Sequence, residues 1–251
     1  MKFFKCFFVL LCALIFLRSA PSSAFINVES LRTNPEEGYQ GSVSLSGLLQ
    51  SGNTEKKLVS FDTLNRYLTG DHEILALGNY KYGESFRTKD THNGSAHLRY
   101  ARHLWEYFFA EVFAQVEFNE FRSLIERDLL GVAARMRWFQ GEHLSLFNGV
   151  GMFGEKEQLK GQDGTTDLRG NLYLSLVSKF STGLKFSMIG YFQPLMNELS
   201  DHRINLDADL ENPLAKNLNL ILSYDYHFDS RPVPGVTKYD SLLKVGLRLN
   251  F

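Results

Sequence analysis

Sulfur is the first scarcity. The chain has two cysteines, Cys6 and Cys12, and both fall within its first 24 residues. If that segment is removed on export, the protein has neither disulfides for stability nor thiolates for a metal. Proline is scarce as well, with 6 in 251 residues, and net charge is −1 from 27 basic and 28 acidic side chains. So even a balance leaves no electrostatic footprint for nucleic acid and no polybasic membrane-surface domain. After Ala24 no apolar run is long enough to cross roughly 30 Å of hydrocarbon as a helix of about 20 residues. Disulfide scaffolds, nucleic-acid binders and helical membrane proteins are set aside on these grounds.

Aromatic side chains are what the sequence has in excess, at 14%. Their placement becomes informative once the chain is divided. Lys2 and Lys5 precede an apolar run from Phe7 to Leu17, and Pro21-Ser22-Ser23-Ala24 supplies small residues for a signal peptidase, so residues 1–24 read as a cleaved secretory signal. Cys12 follows Leu10-Leu11, not the small residue that lipid attachment requires. Residues 25–38 are polar, without a period, and read as a periplasmic leader. Residues 39–251 then form one domain.

Its last stretch is the clearest. Tyr239, Ser241, Leu243, Val245, Leu247, Leu249 and Phe251 alternate with Asp240, Lys244, Gly246, Arg248 and Asn250, and the chain stops on the aromatic. A period of two puts these sets on opposite faces of a strand, one apolar and one charged, with Leu242 the single apolar intruder. Leu247, Leu249 and Phe251 have the form of the terminal assembly signal by which outer-membrane barrels engage their barrel-assembly machinery. The same alternation runs from Tyr39 to Leu49, from Ile74 to Tyr82, from Phe108 to Phe118, from Leu130 to Trp138 and from Ile204 to Leu210, among others. The pattern predicts about twelve strands in an all-β, up-and-down antiparallel transmembrane barrel, whose number of half-apolar strands suits lipid on one side. Tight turns are expected at Thr69-Gly70-Asp71, Gln140-Gly141-Glu142 and Ser181-Thr182-Gly183. Longer charged loops are expected at Phe86–Asp90, at Glu120–Glu126, at Glu155–Thr166 (the longest) and near Pro232. Apolar-face aromatics such as Tyr39, Tyr80, Tyr100, Trp138, Phe192 and Phe251 gather toward strand ends, as two interfacial girdles would. Two alternatives compete. Phe109, Val112, Phe113 and Val116, then Leu129, Val132 and Ala133, also satisfy helical spacing within 105–138, and a soluble β-sandwich can show half-apolar strands.

Gly41 to Leu49 followed by Ser51-Gly52-Asn53-Thr54, the Tyr80 and Tyr100 strands, the Phe113 to Leu124 hairpin with Arg127, and Gly131 onward carry a resemblance. Over nearly the whole mature chain they are similar to the salt-induced outer-membrane protein family, a domain family of unknown function, number 481. That resemblance implies a bacterial outer-membrane barrel and no established activity, ligand or catalytic residue.

The polar face is where chemistry could reside. Arg99, Arg135, Arg137 and Arg203 and the carboxylates Glu111, Glu117, Asp207, Asp209 and Asp225 all fall on it, as do Asp62, Arg66, Glu73, Lys81, Arg169, Lys185, Lys244 and Arg248. Such rows either line a narrow selective pore or pair into a lattice that fills the barrel. His143 and Ser145, two apart, resemble the His-x-Ser pair of outer-membrane phospholipases, yet no neighbouring motif supports acyl transfer, and both read as lumen residues beside a periplasmic turn. His97, Arg99 and His227 lack a metal-ligand spacing, and Asp163-Gly164 lacks the regular oxygen ligands of a calcium loop. The expectation is therefore a non-enzymatic outer-membrane barrel without cofactor, most simply a narrow small-solute channel or a salt-responsive envelope component. The alternative is a closed barrel whose external loops bind a partner or lipopolysaccharide. Expected partners are outer-membrane lipids, lipopolysaccharide and the assembly machinery, and no nucleic acid.

Overall fold

A computed structural model describes residues 36–53 and 55–251. The expected signal, most of the leader and Thr54 of the first turn lie outside the described residues. Twelve strands follow one another: β1 (Gly38–Gln50), β2 (Lys56–Thr69), β3 (His72–Ser85), β4 (Thr88–Trp105), β5 (Phe108–Asn119), β6 (Leu124–Gln140), β7 (Leu144–Leu159), β8 (Thr165–Lys179), β9 (Lys185–Leu195), β10 (Glu198–Pro213), β11 (Leu218–Asp229) and β12 (Tyr239–Asn250). Each pairs antiparallel with its sequence neighbours, and β12 closes on β1.

Alternation decides which side chains meet what. Leu45, Phe61, Leu98, Val132, Val150, Leu174 and Val245 stand on the outside and are exposed. A belt of that kind around a whole molecule far exceeds the few hundred Å² of apolar patch a monomer exposes to water. The exposed aromatics bracket it: Tyr39, Tyr67, Tyr100 and Phe251 near the end that holds both termini of the barrel, Tyr80, Tyr82 and Tyr239 near the other. His92 lies edge-on to Phe118 within the second girdle, with ring centroids 5.1 Å apart. No helix among the described residues is long and apolar enough to cross a membrane.

The strand reading of 105–138 holds against its helical alternative, and two loop expectations are corrected. The stretch 105–138 is strand, not helix, interrupted only by the 106–107 turn and by the 3-10 turn Glu120–Arg122 with Ser123, where the Asn119 side chain accepts from the Arg122 backbone N–H. Helical spacing arose because both faces carry apolar groups here: Val112 and Val132 point outward, while Phe113, Leu129, Ala133 and Phe153 form a buried cluster within the barrel. The loop expected over Glu155–Thr166 is mostly ladder, since Glu155 pairs with Leu129 and Asp167, and only 160–164 turn. Nor is there a loop at Phe86–Asp90. β3 and β4 join through Phe86 and Arg87 alone, both at positive φ (49° and 61°), the geometry of a tight hairpin turn without its usual Asn or Gly. The connections are therefore short at both ends, with 230–238 the longest.

The barrel interior also holds more than polar groups. Leu64, Leu75 and Leu77 form one inward cluster, Tyr173, Ile189 and Tyr191 another. Glycine makes room for these rings: a Cβ on Gly149 would sit 2.1 Å from Cε1 of Tyr173, and one on Gly131 2.4 Å from the Phe113 ring.

Candidate functional site: the charged lumen

Side chains from opposite walls meet inside this barrel. At the end away from the termini, Glu155 on β7 receives three guanidinium groups: Arg127 from β6 (2.5 Å), Arg169 from β8 (2.5 Å) and Arg203 from β10 (3.0 Å). Each arginine has a further carboxylate, Glu117 for Arg127 (2.9 Å), Asp201 for Arg169 (3.0 Å), and Glu157 and Asp229 for Arg203 (3.0 and 3.1 Å). Arg122, from the 3-10 turn, adds contacts to His227 and to Asp240 (3.6 Å). Glu155, Arg127 and Arg169 are all buried. Ions held away from water are tolerated only when they are paired, as these are.

A second tier lies deeper. Lys81 on β3 reaches Asp225 on β11 at 2.8 Å, although β2, β1 and β12 separate their strands along the wall. Lys244 shares that carboxylate (3.3 Å) and approaches Asp62 (3.9 Å). Arg248 binds Asp209 (2.8 Å), Glu211 (2.5 Å) and the Ser44 hydroxyl (2.9 Å), and Asp207 is buried beside them. Arg99 donates to Glu111 (3.0 Å), which also accepts from the Tyr173 hydroxyl (2.9 Å). Toward the termini, Arg66 binds Glu73 (2.6 Å), and the Arg135 guanidinium lies 3.9 Å from the Phe147 ring centre and 5.1 Å from that of Phe109.

Burial shows what this arrangement does. Lys81, Leu75, Ser175, Ser187 and Ile189, all inward, have 0% exposure, so no water column runs beside them. Among the described residues, space remains at each end of the barrel. A cavity of about 60 Å³ lies under the 230–238 loop among Arg122, Arg203, His227 and Val233. Another, about 250 Å³, opens at the terminal end among Arg66, Glu73, His103, Arg135, Arg137 and Phe147.

Of the pore candidates, Arg99, Arg135, Arg203, Glu111, Glu117, Asp207, Asp209 and Asp225 are buried on the inward face. Arg137 instead lies at the terminal rim, donating to Gln140 (2.9 Å) and to the Glu106 carbonyl. Sequence reasoning missed Arg122, Glu155, Glu157 and Asp229. For Glu155 and Glu157 a signal existed: the period of two in Val150, Met152, Gly154, Lys156 and Gln158 continues past the apolar stretch. The terminal residues Leu247, Leu249 and Phe251 are exposed, and Phe251 exchanges both backbone hydrogen bonds with Gly41 (2.6 and 2.8 Å).

The remaining candidates fall apart as sites. Ser145 is buried on the inward face, whereas His143 is exposed in the 141–143 turn and is not a lumen residue; no hydrogen bond joins them among the described residues. His97 meets Gln115 (2.9 Å) and His227 meets Asn205 (2.5 Å). Among the described residues no group of three His, Cys, Asp or Glu is placed to hold a metal.

Outside the wall, exposed ion pairs tie the rim. Arg231 in the longest loop binds Glu198 through two contacts (2.5 and 2.7 Å) and holds that carboxyl below its ordinary range by hydrogen bonding. Hydrogen bonds from Lys89 (2.5 Å) and His92 (2.7 Å) lower Glu120 in the same way.

A family model described as protein of unknown function, DUF481, matches residues 43–251. No curated protein matches the chain. Similar solved structures include the β domain of the Bordetella autotransporter BrkA, at 10% identity, covering 85% of this chain and 98% of that one, with a TM-score of 0.42. They also include the porin NanC, at 12% identity, covering 84% and 97%, TM-score 0.49. A third is the translocator domain of NalP from Neisseria meningitidis, at 13% identity, covering 89% and 92%, TM-score 0.47.

Proposed function

The chain belongs to the DUF481 family, whose function is unknown, and from its geometry we propose that it is a bacterial outer-membrane barrel kept shut at rest by its own side chains. On this reading it is an envelope component that acts through its rims and outer wall, not a standing solute channel and not an enzyme. The observation that carries the proposal is the wall-to-wall lattice: Glu155 gathers Arg127, Arg169 and Arg203, and Lys81 crosses to Asp225. The apolar belt between aromatic girdles supports insertion in lipid, since water would not tolerate it and closure pairs the backbone.

Partners on this reading are outer-membrane lipids and lipopolysaccharide at the belt and rim, and the assembly machinery at Leu247, Leu249 and Phe251. A gated narrow channel is the second reading, favoured by the open cavity of about 250 Å³ at the terminal mouth. A salt response would act through the exposed Arg231–Glu198 pair, which ions screen far better than the buried lattice.

Thiol labelling tests the resting state. The mature chain has no cysteine, so Ser175→Cys places a single thiol mid-lumen at a position of 0% exposure. In vesicle-inserted protein a membrane-impermeant maleimide should leave it unlabelled while labelling Glu142→Cys in an exposed turn. Equal labelling of the two would make the lumen an open channel.

A further inference from the structure

The closing ladder is the shortest in the barrel. β1 pairs with β2 along its whole length, from Gly38↔Leu68 to Gln50↔Lys56, and β12 pairs with β11 from Leu218↔Leu249 to Phe228↔Tyr239. Between β1 and β12, however, pairing runs only from Ser42↔Asn250 to Ser46↔Gly246, beyond the Gly41–Phe251 exchange. Continued register would add the pairs Gly47↔Val245 and Leu49↔Leu243, but the ladder ends at Ser46↔Gly246, whose flanking bond between Gly47 and Val245 is the last one.

Antiparallel ladders alternate hydrogen-bonded and non-bonded pairs. Gly41 and Phe251 exchange both bonds, so the same phase gives bonding positions at 43/249, 45/247, 47/245 and 49/243. Both backbone groups of Leu49 and Leu243, and one group each of Gly47 and Val245, therefore point into the seam. Three residues of strand, 48–50, make this opening about 10 Å long. It lies between the girdle residues Tyr239 and Phe251, and its outward neighbours Leu49 (83% exposed), Leu243 and Val245 are apolar. Within hydrocarbon, unpaired backbone groups are costly, and another backbone in extended form satisfies them at the right spacing.

We propose that the open upper seam between β1 and β12 is a strand-binding site for an extended segment of another polypeptide with alternating apolar side chains. The proposal rests on the membrane reading above. A lipid passing into the lumen fits less well, because Leu242 is buried on the inner side of the slot and Lys244 stands there held by Asp225. The slot thus lies in the wall and does not lead into the lumen. Its outer edges are apolar and its rims are backbone, which matches the two faces and the edges of a strand.

Two cysteine pairs of the same ladder type separate the possibilities in vesicle-inserted protein. Val43→Cys with Leu249→Cys spans the closed half, and Leu49→Cys with Leu243→Cys spans the open half. Disulfides need Cα atoms within about 7 Å, so the first pair should cross-link at least about tenfold faster than the second. A cysteine-bearing peptide copying Gln40–Gln50 should then trap Leu243→Cys at least about tenfold faster than Leu172→Cys on the far wall. Equal cross-linking of both pairs would show a closed seam and overturn the site. An open seam with equal trapping at 243 and 172 would assign the slot to lipid and overturn the strand as occupant. Failure of the Val43/Leu249 pair to cross-link would instead overturn the barrel reading on which the site depends.

Discussion

Replacing Glu155 by Gln keeps the shape of the residue on which the lumen lattice converges and removes its charge. Three guanidinium groups lie within 3.0 Å of the Glu155 carboxylate, and its side chain is 1% exposed. Removing one partner of a buried pair is destabilising by about 3–5 kcal/mol. The low end applies, because Arg127 retains Glu117, Arg169 retains Asp201 and Arg203 retains Glu157 and Asp229. Glu155→Gln should therefore lose about 3 kcal/mol, about two orders of magnitude in the folding equilibrium. Urea unfolding of vesicle-inserted protein, followed by the fluorescence of Trp105 and Trp138, measures it. In a wet lumen the same groups would behave as surface ion pairs worth at most about 1 kcal/mol. A loss under about 0.5 kcal/mol would refute the packed lattice.

Other perturbations probe separate parts of the account. Gly149→Ala should destabilise by about 1–3 kcal/mol in the same urea assay, because its Cβ would fall 2.1 Å from a Tyr173 ring whose hydroxyl is fixed by Glu111. Arg87→Gly should stabilise by about 1 kcal/mol in that assay, relieving a non-glycine residue at φ 61°. Arg231 lowers the Glu198 carboxyl in the folded state. The pin on the 230–238 loop is thus at full strength above the unfolded value of about 4.3 and is lost as pH falls through the folded value. A nitroxide on Thr237→Cys should become mobile below about pH 4 and stay unchanged between about pH 5 and 8. Mobility that rises instead toward alkaline pH would contradict that sign.

Strand number and facing were legible in the sequence because a barrel in lipid imposes one rule on every strand, apolar outward. Tyr239 to Phe251 alone displayed it. Strand ends were less legible, since charge was read as a loop signal. Inside a barrel charge is permitted, and beyond the belt the outward positions turn polar as well, so Glu155, Lys156 and Glu157 resembled a loop while continuing β7. The Phe86–Arg87 turn was hidden for a simpler reason: it holds neither glycine nor asparagine. The lattice itself was half visible. Alternation placed Arg99, Arg203 and Asp225 on one face, but which wall each reaches depends on closure and register, and no local pattern reports that. The open seam depends on the same long-range register and left no mark in the sequence.

Conductance across a planar lipid bilayer tests the central claim most directly, using residues 25–251 refolded into a heat-resistant barrel. The packed lumen predicts insertion without conductance steps for the unaltered chain, and steps once Arg127 and Arg203 are both replaced by Ala. Stable steps from the unaltered chain at low voltage would contradict a barrel closed at rest.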